Sequence, residues 1–293
     1  MEIGFCGTGR MGAAMVLRLL DQGHRLSVWN RTESKAKPLI ERGAAWAKSP
    51  AALAQSHDLV ITILTDTRAV ESVYAGPEGL LAGSVTGKLF IEMSTVPPAT
   101  ARAIAERVRA KGAGLVDCPV GGTIGPARDG KLLGLAGGDA ADFARARPVL
   151  EQLCRRVDHL GANGNGAAMK LAINLPLAVY WEALREAMSL IRGTGIDPAK
   201  ALEIMGESSG GANALKSRAG KIVTALAGGS PDVGFDIDGI RKDLRTMVEV
   251  AKGAGLELPV AATALRSYDA AAETGWGGRD GSSLVAWHAG RKV

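Results

Sequence analysis

The chain has 293 residues, more than one ordinary hydrophobic core requires and enough for two domains. Its 46% hydrophobic and 22% charged residues are typical of a globular protein. The net charge of +5 comes without a run of five like charges or a basic stretch interleaved with aromatics, which argues against nucleic-acid binding.

Short apolar runs alternate with helical patterns over the first 160 residues. Strands that alternate with helices predict parallel pairing in a doubly wound sheet of the α/β class. Because the runs are continuously apolar, we expect both faces of this sheet to be covered. The predicted strands are residues 3–6, 26–29, 58–64, 88–93 and 115–120.

The pattern changes near residues 161–166, after which no convincing strand occurs in the sequence. A long, largely apolar helix is predicted at 166–192, where we expect Pro176 to produce a kink. The sequence therefore predicts an α/β domain at 1–162 and an all-helical domain at 163–293. The further predicted helices are 199–205, 215–226, 240–254 and 260–273.

The cysteines and histidines do not form a recognisable metal-binding or disulfide pattern. Cys6, Cys118 and Cys154 are odd in number and widely spaced, which predicts unpaired thiols in a reducing compartment. The first residues read as a strand rather than a signal peptide, and no apolar run reaches the ~20 residues that span a bilayer. We expect a cytoplasmic protein without a metal or a membrane partner. The isolated histidines are His24, His57, His159 and His288.

A G-x-G-x-x-G motif follows the first predicted strand and opens a helix. In this context its glycines allow a tight turn, close approach of the backbone to a pyrophosphate and close helix–strand packing. The amino end of the helix then directs N–H groups at the phosphates. We interpret the motif as a dinucleotide site rather than a glycine-rich turn without a ligand. Its residues are Gly7, Thr8, Gly9, Arg10, Met11 and Gly12.

The end of the second predicted strand indicates which dinucleotide is preferred. The carboxylate that an NAD enzyme usually places there is replaced by Asn30, Arg31 and Thr32. Arg31 can pair with a 2′-phosphate, and its two neighbours can donate hydrogen bonds to it. The sequence therefore favours NADP(H) over NAD(H). The alternative is that Arg31 is a solvated turn residue and that both cofactors are accepted.

Two pairs of residues follow the third and fourth predicted strands. Leu64 and Thr65 follow one, and Ser94 and Thr95 follow the other. The carboxyl edge of an open α/β sheet binds ligands, so we interpret these residues as cofactor or substrate contacts. Simple capping of the strand ends is the alternative.

Five motifs in order give the chain a resemblance to the β-hydroxyacid dehydrogenases, the group that includes 3-hydroxyisobutyrate dehydrogenase, tartronate semialdehyde reductase and glyoxylate/succinic semialdehyde reductase. This resemblance covers nearly the whole chain. It implies a Rossmann domain, a long connecting helix, a helical domain that commonly forms dimers or tetramers, and hydride transfer between NAD(P) and a small hydroxy acid. The motifs are G-T-G-R-M-G at 7–12, M-S-T at 93–95, D-C-P-V-G-G-T at 117–123, K-L-A-I-N at 170–174 and R-K-D-L at 241–244.

The resemblance also implies catalytic roles for two residues of the fourth motif. Lys170 matches the family's catalytic lysine, and Asn174 matches the asparagine that positions the substrate. Their spacing of four residues places them on one helix face. Lys170 would protonate the carbonyl oxygen during reduction and reverse this role in oxidation. A lysine that merely extends its ammonium group to solvent is the alternative.

Further substrate and cofactor contacts are implied by the third and fifth motifs. Gly121, Gly122 and Thr123 match the loop that holds the substrate carboxylate, whose backbone N–H groups can form an anion-binding nest. The usual sequence there is Ser-Gly-Gly, so Gly121 in place of serine leaves the exact substrate open. Lys242 matches a second lysine near nicotinamide and substrate, and Phe235 a position beside the cofactor. A surface ion pair between Lys242 and Asp243 is the alternative.

Two other functions fit the same architecture. Imine reductases share it but usually replace the catalytic lysine, which is present here as Lys170. A non-catalytic NADP-binding module tends to lose that lysine as well. A 6-phosphogluconate dehydrogenase usually has a much longer helical domain.

Overall fold

The computed structural model describes residues 1–287, so the prediction for His288 falls outside the described residues. The chain divides into two compact units, Met1–Leu171 and a second unit that starts at Ala172. The helix at Asn165–Leu190 contains this division. The predicted domain boundary at 162/163 lies just before that helix and stays a prediction.

The first unit contains a six-stranded parallel sheet. Its strand order, β3-β2-β1-β4-β5-β6, is that of a doubly wound dinucleotide-binding fold, which confirms the predicted fold class. The predicted strands at 58–64 and 88–93 are shorter in the structure because their last residues form loops. The strands of this sheet are β1 Glu2–Cys6, β2 Arg25–Trp29, β3 Ala45–Trp46, β4 Leu59–Thr62, β5 Leu89–Glu92 and β6 Gly114–Asp117.

Hydrophobic cores cover both faces of this sheet. In β1, Ile3 and Phe5 belong to one core and Cys6 to the other, as the alternation of side chains along a strand requires. In β4, likewise, Ile61 and Val60 belong to opposite cores. The continuously apolar strands therefore result from burial on both sides, as predicted.

A second, three-stranded sheet was not predicted, and the predicted strand at 115–120 is wrong in its extent. That segment forms the end of β6 and then, after Cys118 and Pro119, the start of β7 in the other sheet. Pro119 has no N–H to donate to a ladder, which is one physical reason for the break. In this sheet β8 pairs antiparallel with β7 and parallel with β9. The strands are β7 Val120–Gly121, β8 Leu132–Ala136 and β9 Cys154–His159.

Helices connect the strands of the first unit. The longer ones, α1, α5 and α7, each bury one face, and the residues that they bury are mainly apolar. Because the six strands are parallel, their carboxyl ends lie at one edge of the sheet. The helices are α1 Arg10–Asp21, α2 Lys37–Ile40, α3 Pro50–Ser56, α4 Thr67–Ala75, α5 Pro98–Ala110, α6 Ile124–Arg128 and α7 Ala140–Leu153, with a short 3-10 turn at Glu33–Lys35.

The second unit is helical. Through residue 287 no strand follows His159, although an isolated bridge joins Asp236 and Asp280. The long helix continues through Pro176. No helix within residues 1–287 is both long and apolar enough to cross a membrane. The helices are α8 Asn165–Leu190, α9 Pro198–Glu207, α10 Asn213–Leu226, α11 Ile237–Gly253 and α12 Pro259–Ala271, followed by a π-helical turn at Ala272–Trp276 and a 3-10 turn at Gly281–Ala286.

Candidate active site

The glycines of the loop between β1 and α1 meet three different steric demands. Gly7 has a φ of +99°, and a Cβ added there would lie 2.1 Å from the carbonyl oxygen of Ile63. A Cβ on Gly12 would lie 1.9 Å from the carbonyl oxygen of Gly7. A Cβ on Gly9, by contrast, would meet no described atom within 4 Å. Packing therefore requires glycine at the first and third positions, while the middle one leaves backbone accessible to a ligand.

The side chain of Asn30, which follows β2, forms hydrogen bonds that stabilise the loop between β1 and α1. Its Oδ1 accepts a hydrogen bond from the N–H of Thr8 at 3.1 Å, and its Nδ2 donates to the carbonyl oxygen of Thr32 at 2.8 Å. The hydroxyl of Thr8 is buried and has no hydrogen-bond partner among residues 1–287. An unsatisfied buried hydroxyl beside an accessible glycine fits a polar ligand at this loop.

The start of α1 has the electrostatics of an anion site. Its N-cap is Gly9, no side chain in the described part of the chain caps it, and its first turn contains no acidic residue. The positive end of the helix dipole is therefore not neutralised by its own sequence. Arg10, Arg31 and Thr32 are exposed in the same unit.

The loops after β4 and β5 are joined by a hydrogen-bond chain. The N–H of Leu64 donates to Ser94 Oγ at 2.7 Å, and the N–H of Ser94 donates to Glu92 Oε1 at 2.7 Å. Thr62 Oγ1 donates to the other oxygen of Glu92, and lies 3.0 Å from the hydroxyl of Tyr74. The predicted contact residues Leu64 and Ser94 are therefore adjacent in space.

The carboxyl group of Glu92, which accepts the hydrogen bonds from Ser94 and Thr62, is buried. Burial raises the pKa of Glu92 to about 7, against the opposing effect of hydrogen bonds from Ser94 and Thr62. Thr65 is exposed, and Thr95 is half-buried. The loops after β4 and β5 are therefore polar, and the hydrogen bonds between them end on the buried, titratable carboxyl group of Glu92.

Lys170 lies near the start of α8 and is buried. The helix begins against Asp117, the last residue of β6, whose carboxylate accepts N–H groups from Gly164 and Ala167. Burial raises the pKa of Asp117, and these hydrogen bonds oppose that effect. A lysine in this position is not a side chain that simply reaches bulk solvent.

The loop predicted to hold a carboxylate begins at the end of β7, a few residues after β6. Gly121 ends β7, and Gly122 has a φ of +126°, where an added Cβ would lie 2.7 Å from Leu132 Cδ2. Thr123 precedes α6, but its side chain makes no capping hydrogen bond. The structure thus places Gly121–Thr123 and Lys170 in the same unit.

In the second unit, Asp243 joins two of the predicted residues. Asn174 Nδ2 donates to Asp243 Oδ2 at 2.8 Å, and Lys242 Nζ lies 2.7 Å from Asp243 Oδ1. The Lys242–Asp243 ion pair considered from the sequence is therefore present, and the Asp243 side chain is only 4% exposed whereas that of Lys242 is 33% exposed. Phe235 lines a small cavity beside the same groups. The cavity is lined by Asn174, Leu177, Ala178, Phe235, Ile240, Asp243 and Met247.

Sequence reasoning did not single out the two buried carboxyl groups at the sheet edge. Glu92 and Asp117 are direct neighbours in the register of β5 and β6, at the last position of each strand. The signal was available, since each is an acidic residue inside an otherwise apolar run that ends at the ligand-binding edge. Buried carboxylates are rare without a specific partner.

Two family descriptions match consecutive parts of the chain. Residues 2–161 match the NAD binding domain of 6-phosphogluconate dehydrogenase. Residues 164–288 match the family described as the NAD-binding domain of NADP-dependent 3-hydroxyisobutyrate dehydrogenase. Together these matches cover nearly the whole sequence.

The similarity to individual proteins covers nearly the whole chain. The 3-hydroxyisobutyrate dehydrogenase of Pseudomonas aeruginosa is 37% identical, over 99% of both chains. Glyoxylate/succinic semialdehyde reductase 1 of Arabidopsis thaliana is 35% identical, over 97% of both. A solved structure of Psf3 in complex with NADP+ and 2-OPP superposes with a TM-score of 0.85 at 26% identity, and covers 97% of this chain and 99% of that one.

Proposed function

The chain belongs to the β-hydroxyacid dehydrogenase family and is an NAD(P)-dependent oxidoreductase, and we propose that it interconverts a small β-hydroxy acid and its semialdehyde or keto acid with NADP(H) as the preferred cofactor. The observation that carries the proposal is Lys170, a buried lysine near the start of α8 in the unit that also contains the dinucleotide-type loop.

The cofactor would be held by the carboxyl edge of the six-stranded sheet. Residues 7–12 and the start of α1 fit the pyrophosphate, because the backbone at Gly9 is accessible and the helix end is positive. Arg31 and Thr32 fit the 2′-phosphate, whereas Asn30 shapes the loop itself. Further cofactor contacts in the first unit would come from Leu64, Thr65, Ser94 and Thr95. Phe235 and Lys242 are proposed cofactor contacts as well. When bound, NADP(H) supplies or accepts the hydride.

The proton is assigned to Lys170. In reduction its ammonium group donates a proton to the substrate carbonyl oxygen, and in oxidation its amine removes the hydroxyl proton. Asn174 would hold that oxygen, with its own orientation set by Asp243 at 2.8 Å. Backbone N–H groups of Gly121 and Gly122, with the hydroxyl of Thr123, would bind the substrate carboxylate. Lys242 is proposed as a further substrate contact.

Two alternatives from the sequence are weaker than this proposal. An imine reductase and a non-catalytic module would each be expected to lack Lys170. The two similar sequences named above, from Pseudomonas aeruginosa and Arabidopsis thaliana, have names that specify a hydroxy acid or semialdehyde substrate. An enzyme that acts on small hydroxy acids is therefore better supported than an imine reductase or a non-catalytic module.

The assembly and location follow family habit and cysteine chemistry. We expect a homodimer or homotetramer, which light scattering at micromolar concentration would test. Cys6, Cys118 and Cys154 are buried and unpaired. Buried thiols suit a reducing compartment, so we place the protein in the cytoplasm.

The test is a substrate panel with both cofactors. Glyoxylate, succinic semialdehyde and tartronate semialdehyde would be offered with NADPH or NADH, and 3-hydroxyisobutyrate and 3-hydroxypropionate with the oxidised cofactors. The expected result is turnover with at least one acid, faster with the phosphorylated cofactor. Tight NADPH binding without turnover of any acid would contradict the proposal and favour an imine substrate or a binding-only role.

A further inference from the structure

We propose that Asp117 is a positioning residue that fixes the start of α8 and thereby sets Lys170 relative to the substrate loop at 121–123. This inference rests on the proposed function of that same site. It concerns a residue that only orients others, since the assigned chemistry belongs to Lys170. All of the residues involved belong to the first unit.

Both carboxylate oxygens of Asp117 are used to hold the beginning of the helix. Oδ1 accepts the N–H of Gly164 at 2.8 Å and Nδ2 of Asn163 at 3.3 Å. Oδ2 accepts the N–H of Ala167 at 3.1 Å. Hydrogen bonds to the N–H of Gly164, just before the helix, and to that of Ala167, in its first turn, fix the helix against both translation and rotation about its axis. The negative charge at the positive helix end adds to this.

The backbone of the same residue fixes the strand from which the substrate loop departs. The N–H of Asp117 donates to Gly137 O at 2.9 Å, and the N–H of Gly137 donates to Asp117 O at 2.7 Å. Four residues later the chain reaches Gly121. One residue therefore connects the root of the substrate loop and the root of the catalytic helix.

The end of β6 and the start of α8 are so close that no side chain fits between their backbones at Gly166. A Cβ added to Gly166 would lie 2.8 Å from the carbonyl oxygen and 2.9 Å from Oδ2 of Asp117. The helix backbone is thus seated directly on the aspartate. A displacement at Asp117 cannot be absorbed by side-chain rotation and passes into the helix.

Lys170 lies close enough along the helix for such a displacement to reach it. It follows Ala167 by three residues, which is about 4.5 Å along a helix axis at 1.5 Å per residue. An error of about 1 Å in a reacting group costs on the order of 100-fold in rate. An asparagine at position 117 would turn an NH₂ donor toward an N–H donor of the helix, which forces a shift of this kind.

The experiment compares Asp117→Asn with Glu182→Gln. Glu182 is a buried carboxylate on α8, twelve residues after Lys170. It accepts hydrogen bonds from Arg185 and Ser267. For each purified full-length variant we would measure kcat, KM, the pH dependence of kcat, the Kd for NADPH and the Tm. The control reports what loss of a buried carboxylate does to activity through stability alone.

We expect Asp117→Asn to lower kcat by roughly 10- to 100-fold, and to shift the pH at which kcat changes, with the Kd for NADPH within twofold of wild type. Glu182→Gln should keep kcat even if its Tm falls. An unchanged kcat and pH profile in Asp117→Asn would overturn the inference, as would parallel loss of kcat and NADPH binding.

A second variant covers the case in which Asp117→Asn does not fold. Asn163→Ala removes one donor to Oδ1 and leaves the carboxylate in place, and should lower kcat severalfold at an unchanged Kd for NADPH. A wild-type kcat in Asn163→Ala would then overturn the inference. If the wild-type protein turns over no acid, both the proposed function and this inference are overturned. If the wild type is active and only the variants behave differently from expectation, the inference alone fails.

Discussion

The two units of this protein hold their buried polar groups in different ways. In the first unit, Thr62, Glu92 and Asp117 are the last residues of three adjacent strands and lie in one register row. Each binds mostly backbone N–H groups or a neighbour in the row. In the second unit, Asp243 and Glu182 each accept a hydrogen bond from a side chain of another helix and form an ion pair with a residue of their own helix.

This difference teaches where function can be inferred from topology. A strand edge places residues by backbone pairing, so neighbours at the edge follow from the strand order. A helix bundle places them by side-chain packing, for which spacing along the chain gives only the helix face. We therefore expect substitutions in the first unit to act through loop and helix positions, and those in the second through individual contacts.

The largest expected effect compares Lys170 with Asn174. Lys170→Ala should lower kcat by about 10²- to 10⁴-fold, since general acid–base catalysis contributes that range. Asn174→Ala should cost roughly tenfold, because it removes one hydrogen bond to the substrate oxygen. Steady-state kinetics with NADPH and the best acid of the panel would measure both.

Two controls accompany this comparison. Lys200→Ala removes an exposed lysine at the start of α9 and should leave kcat unchanged. The Kd for NADPH should remain near wild type in Lys170→Ala. Equal losses in Lys170→Ala and Asn174→Ala would contradict the separate roles proposed for them.

The glycines of the first loop give the next largest effect. Gly12→Ala should destabilise the fold by about 3 kcal/mol or more, because its Cβ would lie 1.9 Å from a carbonyl oxygen. Gly9→Ala should cost below about 1 kcal/mol in stability, as an N-cap change. It should nevertheless raise the Kd for NADPH roughly tenfold, about 1.4 kcal/mol, since its methyl group faces the ligand. Denaturant unfolding and fluorescence titration would separate these outcomes. The reverse pattern would refute the assignment of roles within the loop.

The fold was predictable from the sequence to the extent that backbone rules determine it. Alternating strands and helices predicted the parallel sheet, and the motif at 7–12 predicted a loop whose three glycines differ as expected. In the sheet that was missed, β7 has only two residues and β9 lies in the polar run at 154–159, whereas β8 is an apolar run of five residues that could have been recognised. Strand β9 is only partly buried, so it carries no continuous apolar signal.

The candidate site was predictable as a set of residues but not as a set of contacts. Motifs identified Lys170, Asn174 and Lys242, whereas the connection of the last two through Asp243 depends on packing within the helical unit. The contacts of Asn30 were not predictable either, and its role at the cofactor stays a prediction. Its side chain binds the backbone of Thr8 and Thr32, which sequence spacing alone does not reveal.

The pH dependence of stability tests the buried carboxyl row. Because the pKa of Glu92 is raised from 4.5 to about 7, the folded protein binds a proton that the unfolded chain has released between these values. Folded wild type therefore loses stability as the pH rises from about 4.5 to about 7. The pKa difference corresponds to about 3 kcal/mol.

Glu92→Gln removes this titration. The unfolding free energy of the variant minus that of wild type should therefore increase by about 3 kcal/mol from pH 4.5 to pH 8, as measured by urea unfolding at each pH. Glu71→Gln, at an exposed position of α4, is the control for loss of one carboxyl charge and should show little change. A difference between Glu92→Gln and wild type that is flat with pH would mean that the carboxyl group is not destabilised by burial.

The smallest expected effect concerns an exposed residue of the first unit, where the topology gives the position of the chain but not the contact of the side chain. Arg31→Ala should lower the preference for NADPH over NADH, as the ratio of their kcat/KM values, by roughly tenfold. A charge-assisted hydrogen bond to phosphate is worth about 1.5 kcal/mol or more, which corresponds to this factor. Arg42→Ala, which removes an exposed arginine paired with Asp21, is the matched control and should not change the ratio. An unchanged ratio in Arg31→Ala would show that the absence of a carboxylate after β2, rather than the presence of this arginine, determines the cofactor preference. The cofactor preference would then depend on the side chain that is missing at the end of β2, and Arg31 would need no contact with the 2′-phosphate.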